Sequence, residues 1–183
     1  MTVTADPVAP VDPDAFRALL RRQAATVAVV TAAGEPPVGF TVTSLTSVSL
    51  RPPLLSFCIA HTSSSWPTVA RTEHVAVHLL SRPQHAVART FATSGIDRFA
   101  QHPDWRTGPY GVPLLHDVLA WLVCRVVSRV TAGDHEIVLV EPRLADYAAE
   151  GEPLLYHMGR YVALGAEADA AGGDPGTGVP RAA

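Results

Sequence analysis

The chain has 183 residues, of which 48% are hydrophobic and 17% are charged, against a usual charged share of about 25%. This composition excludes a disordered chain and predicts one domain with tails. All 14 basic residues are Arg, and with 17 acidic residues the net charge is −3. Nucleic-acid binders carry a basic surplus, so nucleic acid is not an expected partner. Such a low share of charge also predicts that the monomer covers part of its surface against a partner.

Neither a targeting segment nor a membrane segment is expected. The first residues lack a basic stretch followed by an apolar run, and no run approaches the roughly 18 apolar residues of a membrane span. We therefore expect a cytoplasmic protein. Cys58 and Cys124 lie alone in apolar segments; the spacing is compatible with a disulfide, but two buried free thiols are the favoured interpretation. No Cys and His spacing typical of a metal site occurs.

The first half of the predicted domain, which spans 12–164 between tails at 1–11 and 165–183, begins with a helix. Asp12 is its predicted cap, and Pro13 occupies its first turn. A short β-branched segment at 27–32 predicts a strand. Residues 38–50 alternate between apolar and Thr/Ser positions and are interpreted as extended, and 54–60 is a further strand.

The second half predicts strands at 75–80, 118–131, 135–147 and 154–164, a helix from Ser81 to Thr93, and a loop over 94–113. In the segment 118–131 the alternation places one apolar row on one face and two arginines on the other. The apolar row is Ala120, Leu122, Cys124, Val126 and Val130, opposite Arg125 and Arg129. Gly133-Asp134 is a turn, and Pro142 bends the next strand.

About seven strands joined by tight turns predict a mainly β fold with short helices. Short connections favour an antiparallel barrel over a parallel α/β sheet. No G-x-G-x-x-G follows a strand, so a Rossmann dinucleotide fold is unsupported.

The stretch from Gly39 to Ser47 carries a row of hydroxyl side chains. Alternate residues of a strand share a face, and a polar row beside apolar residues suits a planar heterocycle such as a flavin or a pterin. An exposed Thr-rich face would give the same pattern, and without further context that simpler interpretation is favoured.

Three other segments are candidates for ligand contacts. Ser63, Ser64 and Ser65 precede a short helix, where they either bind phosphate or cap the helix. His135 follows a hairpin turn. The segment 156–161 combines aromatic residues with an Arg and either stacks on a nicotinamide or adenine or belongs to the core. No G-x-S-x-G elbow or triad spacing occurs.

In this order, these segments resemble the flavin reductase family. The stretch GFTVTSLTSVSLRPPLLSFCIAHTSSSWPTV resembles its flavin-binding region, and the likeness continues through ARTFA, DRFA and GDHEIVLVE to the segment 156–161. It covers roughly residues 15–164. The resemblance implies an FMN-binding split β-barrel of antiparallel Greek-key type that pairs as a homodimer.

The resemblance also implies site residues. Those expected to contact the flavin ring, ribityl chain or phosphate are Thr41, Thr43, Ser44, Leu45, Thr46, Ser47, Cys58, Ile59, Ala60, Ser63, Ser64, Ser65, Arg89, Phe91, Arg98 and Phe99. On the nicotinamide side it implies His135, which would orient the nicotinamide, with Arg160 and Tyr161 nearby.

The implied activity is that of an NAD(P)H:flavin oxidoreductase. It would reduce FMN, or alternatively FAD, with NADH or NADPH, and release reduced flavin that diffuses to a separate monooxygenase. The protein supplies stacking and orientation, since the cofactors hold the chemistry. Two alternatives stay open: an oxidoreductase that acts on an organic substrate with tightly bound flavin, and a non-enzymatic flavin-binding module.

Overall fold

A computed structural model describes residues 11–148 and 150–164. The predicted tails, 1–11 and 165–183, lie outside the described residues apart from Val11. The helices are α1 (Pro13–Leu20), α2 (Trp66–Val69), α3 (His85–Ala92) and α4 (Arg98–Gln101), with 3-10 turns at Arg82–Gln84 and Pro109–Gly111. The strands are β1 (Ala25–Thr26), β2 (Ala28–Ala32), β3 (Val38–Val42), β4 (Thr46–Leu50), β5 (Pro53–Ala60), β6 (His74–Leu79), β7 (Trp105–Thr107), β8 (Pro113–Leu115), β9 (Ala120–Ala132), β10 (His135–Tyr147), β11 (Leu155–His157) and β12 (Arg160–Val162).

A seven-stranded antiparallel sheet forms the centre of the fold, in the order β3-β2-β6-β9-β10-β5-β4. The sheet curls on itself, since the ring centroids of Phe40 on β3 and Phe57 on β5 lie 6.0 Å apart. Buried side chains from β2, β3, β5, β6, β9 and β10 fill the interior. The predicted mainly β, antiparallel barrel is therefore confirmed.

The alternating segment 38–50 forms two strands instead of one. β3 and β4 are interrupted at 43–45 and lie at opposite edges of the sheet. The interruption carries the chain across the opening between these edges, which a continuous strand could not do. The alternation fails at Ser44-Leu45-Thr46 and then resumes in the same phase at Ser47, so the segment as a whole still predicts one extended stretch.

The long hairpin β9–β10 confirms the predicted turn at Gly133-Asp134, where Gly133 has a φ of +64°. The predicted alternation on β9 is correct only as far as Val126. A register shift opposite Leu139 and Val140 inserts one extra residue into β9, and an inserted residue inverts the faces that follow it. Val130 is therefore exposed, and Arg129 is half-buried.

The helix signals agree with the structure. Asp12 Oδ1 accepts hydrogen bonds from the amides of Asp14 and Ala15. Ser81 and Gln84 form a capping box, and the 3-10 turn that follows leads into α3. The predicted loop at 94–113 is only partly correct, because it contains α4 and β7.

A second apolar cluster lies outside the barrel, where α3 packs on β2 and β3. Its fully buried members are Val27, Val29, Leu80, Ala88 and Phe91. The hairpin β11–β12, paired with β1, packs against this cluster through Tyr156 and Tyr161. In this way α3 and the terminal hairpin become neighbours.

Both cysteines are free thiols, as favoured, but Cys58 is only partly buried where two buried thiols were expected. Cys124 is buried, and burial raises the pKa of its thiol to about 12. No helix within 11–148 and 150–164 is long and apolar enough to cross a membrane.

Candidate functional site

A groove of about 480 Å³ lies between β3, the end of β5 and the end of α3. Its volume is within the range of about 300–1,000 Å³ that small-ligand sites occupy. Most of the predicted flavin contacts line it. These are Thr41, Thr43, Ser44, Cys58, Ile59, Ala60, Ser63, Phe91 and Arg98, together with His135.

Two hydroxyl groups of the groove wall also hold the wall together. Ser44 Oγ accepts a hydrogen bond of 2.9 Å from the amide of Cys58, and it thus ties the break between β3 and β4 to β5. Thr41 Oγ1 donates to the Ala88 carbonyl at 2.7 Å and ties β3 to α3. A hydroxyl has two acceptor sites and one proton, so Ser44 can still donate and Thr41 can still accept from a ligand.

Arg98 joins three segments at one end of this wall. Its Nη1 donates to the Gly39 carbonyl at 2.7 Å and to Ser65 Oγ at 3.0 Å, and its Nε donates to the Thr93 carbonyl at 2.9 Å. Partial burial lowers the pKa of the guanidinium. Among the described residues Nη2 has no such partner, so it is the group of Arg98 that a ligand anion can use.

The serine turn contributes through one residue. Ser63 lines the groove, and its Oγ accepts from the Ser65 amide at 3.3 Å. Ser65 is buried beneath Arg98, and Ser64 faces a separate small depression with Phe99. Ser65 occupies the N-cap position of α2 without a side-chain capping bond, so the capping-type hydrogen bond of this turn is the one that Ser63 accepts.

His135 is the first residue of β10 and lies opposite Ala60, the last residue of β5, in the strand register. Its Nδ1 lies 2.7 Å from Asp134 Oδ1. A carboxylate only accepts hydrogen bonds, so Nδ1 carries the proton and Nε2 is left for a ligand. The hydrogen bond from His135, and then its charge, lower the pKa of Asp134.

A buried carboxylate supports the same corner. Glu136 is 6% exposed and accepts hydrogen bonds from Thr131 Oγ1 at 3.1 Å and His61 Nε2 at 3.0 Å. His61 precedes Thr62 and Ser63, which line the groove. The pair therefore fixes the start of the serine turn next to His135.

Gly39 gives the groove its buried aromatic wall. A Cβ at this position would lie 2.6 Å from the Phe91 ring, a distance that a packed core does not accept. The absence of a side chain lets α3 bring Phe91 against β3.

A second cavity of about 750 Å³ adjoins the groove and shares Thr43 and Ser44 with it. Leu45 and Thr46, which were predicted to contact the flavin, lie here with residues of α1 and with Tyr156. Ser47 is exposed on β4 and lines neither cavity.

Arg89, Arg160 and Tyr161 lie in a third cavity, a cleft of about 630 Å³ between α3 and the hairpin β11–β12. In the single chain these three residues are thus not among those that line the groove with His135. Burial, together with Tyr156, raises the pKa of Tyr161, and the charge of Arg89 acts in the opposite direction.

Sequence reasoning missed several lining residues. Thr62 and Ser94 line the groove, and Arg82 and His85 line the cleft. Thr62 could have been found, because it adjoins the serine turn. The other three come from segments whose neighbours are distant in sequence. Within the described ranges, no group of three or more His, Cys, Asp or Glu side chains is arranged to hold a metal ion.

Comparison with known proteins identifies the family. Residues 20–165 match the model of the flavin reductase like domain. The chain belongs to this family, and the resemblance found in the sequence is confirmed.

Three relatives illustrate the match. An NADH:FMN oxidoreductase of Rhodococcus qingshengii is 43% identical over 152 residues, which cover 80% of this chain and 79% of that protein. The reductase subunit HsaB of a flavin-dependent monooxygenase from Mycobacterium tuberculosis is 33% identical over 159 residues, covering 85% and 84%. The structure of the Streptomyces globisporus NADH:FAD oxidoreductase SgcE6 with NAD and FAD fragments superposes with a TM-score of 0.82 at 33% identity, covering 90% of this chain and all (100%) of that one.

Proposed function

We propose that this protein is an NAD(P)H:flavin oxidoreductase that passes reduced flavin to a separate monooxygenase. The observation that carries the proposal is the groove, in which hydroxyls, an arginine and a histidine meet apolar walls, in a chain of the flavin reductase family. Relatives named as an NADH:FMN oxidoreductase and as a monooxygenase reductase subunit support both parts.

The groove residues fit a flavin chemically. The ring system is flat and apolar with a polar edge, and it would lie along Cys58 and Ala60, which are partly exposed in the groove, with its edge toward Ser44 and Thr43. The phosphate would lie toward Ser63 and the free Nη2 of Arg98. FMN is the expected flavin and FAD the alternative.

When bound, the flavin accepts the hydride that the nicotinamide donates. The protein has to hold the two reactants in reacting geometry, about 3–3.5 Å apart, and to exclude water. His135, fixed by Asp134 at 2.7 Å, would orient the nicotinamide amide through Nε2. NADH is the expected donor and NADPH the alternative.

The activity is tested by NADH and NADPH oxidation with FMN, FAD and riboflavin in parallel. We expect turnover with added flavin and loss of bound flavin on dialysis. A protein that retains stoichiometric flavin and oxidises no NAD(P)H would contradict the proposal. Turnover only with an organic substrate would identify an enzyme with a prosthetic flavin instead.

Transfer to an oxygenase is a separate part of the proposal. The reductase and a flavin-dependent monooxygenase are placed on opposite sides of a dialysis membrane. The monooxygenase should still oxidise its substrate, because free reduced flavin diffuses through the membrane. Failure across the membrane, with activity in the same compartment, would indicate transfer by contact.

We further propose that two copies pair in the cytoplasm. None of the residues of α1 is buried in the single chain, and Phe16, Leu19 and Leu20 are 54%, 61% and 51% exposed. Leu50 on β4 is exposed as well, and α1 and the start of β4 flank the same cavity. A helix with an apolar face is stable in water only when that face is covered.

A further inference from the structure

We propose that the cleft between α3 and the hairpin β11–β12 binds the adenosine diphosphate half of a dinucleotide, the half that FAD and NADH share and FMN lacks. The inference rests on the proposed function, since it assigns to one of the two reactants a place outside the groove. The observations that support it are the charge of the cleft, its aromatic wall and its position.

The charge of the cleft is positive. Arg82, His85 and Arg89 follow one another at helical spacing along its α3 side, and Arg160 comes from β12. In the part of the chain that the structure describes, no carboxylate belongs to the lining of this cleft. Glu152 pairs with Arg82 at 2.9 Å, whereas among the residues that the structure describes Arg89 and Arg160 have no carboxylate within salt-bridge distance. Two unneutralised guanidinium groups facing one cavity favour a multiply charged anion, because each can bind phosphate oxygens in a fork.

The wall of the cleft suits a heterocycle. Tyr156 and Tyr161 both line it, and their ring centroids lie 5.3 Å apart at an angle of 61°. Aromatic faces next to arginines are surfaces on which a base stacks. A volume of about 630 Å³ exceeds what a single phosphate needs and is within the range of small-ligand sites.

The position of the cleft connects it to the groove. Helix α3 borders both: Phe91 and Ala92 line the groove, and His85 and Arg89 line the cleft. At 1.5 Å per residue, the seven residues from His85 to Ala92 span about 10 Å. The cavity between them shares Thr43 with the groove and Tyr156 with the cleft. An extended dinucleotide can therefore place its reacting ring in the groove and its far half in the cleft.

The direct test is calorimetric binding of 5′-ADP to the full chain and to R89Q, R160Q and the double variant. A charge-assisted hydrogen bond contributes enough for about a tenfold loss of affinity per arginine. The control is R71Q, which removes an exposed arginine outside the three cavities. We expect weaker ADP binding in the cleft variants, a smaller dependence of that binding on salt, and no change in R71Q.

Two further arms identify which dinucleotide uses the cleft. If FAD does, the double variant binds FAD about a hundredfold more weakly and FMN unchanged. If NADH does, KM for NADH rises with FMN as acceptor, while KM for reduced nicotinamide mononucleotide stays the same.

ADP binding that is absent, or equal in all variants, would overturn the proposal. An equal loss of FMN and FAD affinity would also overturn it, because the arginines would then bind the ribityl phosphate that both flavins carry. ADP binding needs no turnover, so it can be measured even if the protein oxidises no NADH. Failure of this inference and failure of the proposed function are therefore distinguishable.

Discussion

His135, which lines the groove, forms an exposed polar contact with Asp134. Their hydrogen bond is 2.7 Å long, and the His135 side chain remains 46% exposed. A pair in this environment contributes little to stability. Its value lies in the fixed direction of the imidazole, so a change here should affect turnover more than folding.

We predict that His135→Ala lowers kcat/KM for NADH by about tenfold to a hundredfold, the range for one lost orienting contact. The dissociation constant for FMN should change by less than about threefold, because the flavin contacts come from other residues. Steady-state kinetics and a flavin titration check both values. His61→Ala, which disturbs the same corner from behind, is the comparison; unchanged KM and kcat in His135→Ala would remove its assigned role.

His78 is a fully buried histidine on β6, next to the second apolar cluster. Its Nδ1 lies 3.1 Å from the Val29 carbonyl, and its Nε2 accepts from the Leu115 amide at 3.2 Å. The ring thus joins β2, β6 and β8 in its neutral form. Burial lowers its pKa to about 4.

The lowered pKa of His78 predicts acid sensitivity. The unfolded chain takes up a proton near pH 6.5 and the folded chain only near pH 4, so stability is complete above pH 6.5 and is lost as the pH falls toward 4. By pH 5 the free energy of unfolding should decrease by about 2 kcal/mol from this group alone. Urea unfolding of the wild type and His78→Gln at pH 7 and pH 5 isolates the effect: a variant with the same pH dependence as the wild type would exclude His78 as its source.

At the scale of elements, the irregularity in β9 has a function that a regular strand could not provide. The inserted residue turns Arg129 inward, where its guanidinium donates to the Val69 and Thr72 carbonyls. These carbonyls end α2 and begin the turn before β6. The bulge therefore anchors the segment that follows the serine turn.

We predict that Arg129→Lys costs about 1–2 kcal/mol of unfolding free energy, because a single ammonium cannot reproduce the fork of donors. Arg125→Lys is the matched control on the same strand; its exposed pair with Glu141 should contribute less than about 0.5–1 kcal/mol. Thermal or urea unfolding measures both. Equal losses in the two variants would mean that Arg129 is an ordinary surface residue.

Much of the element order could be predicted from the sequence, since caps and periodicity act locally. Asp12, Ser81 and the Gly133-Asp134 turn each specify a boundary through their own backbone and neighbours. The placement of β3 and β4 at opposite edges of the sheet and the bulge in β9 could not be predicted in this way. Both depend on how distant strands meet, which alternation within one segment does not encode.

The same division holds for the site. The hydroxyl row within 41–47 and the GDH turn became site candidates through the family resemblance, because a Thr-rich strand and a histidine beside a turn are each ordinary in their local structure. Arg82 and His85 did not, because a basic residue on a short helix is typical of a surface. Arg82 and His85 line a cleft only because the terminal hairpin packs against α3.

At the scale of the whole molecule, the low share of charged residues corresponds to visible apolar surface. Val130 and Ile137 are opposite each other in the β9–β10 register and are both exposed, in addition to the face of α1. A second copy of the chain would cover such surface.

We predict that Leu19→Glu converts a dimer into a monomer in sedimentation velocity, because a charge on the covered face of α1 would be buried without a partner. The matched control is Leu144→Glu, which changes an exposed leucine in the far half of β10. A wild type that sediments as a monomer would contradict the pairing, and dissociation by both variants would contradict the choice of face.

The break at 43–45 joins the two edges of the curled sheet, and it also walls two adjoining cavities. Ser44 links these roles, since its hydroxyl both fastens β5 and borders the ligand space. Changing ligand preference in this segment therefore also changes how firmly the barrel is closed. In a mutational library the segment should tolerate few exchanges singly, and new preferences should arise mainly in combination with stabilising changes elsewhere.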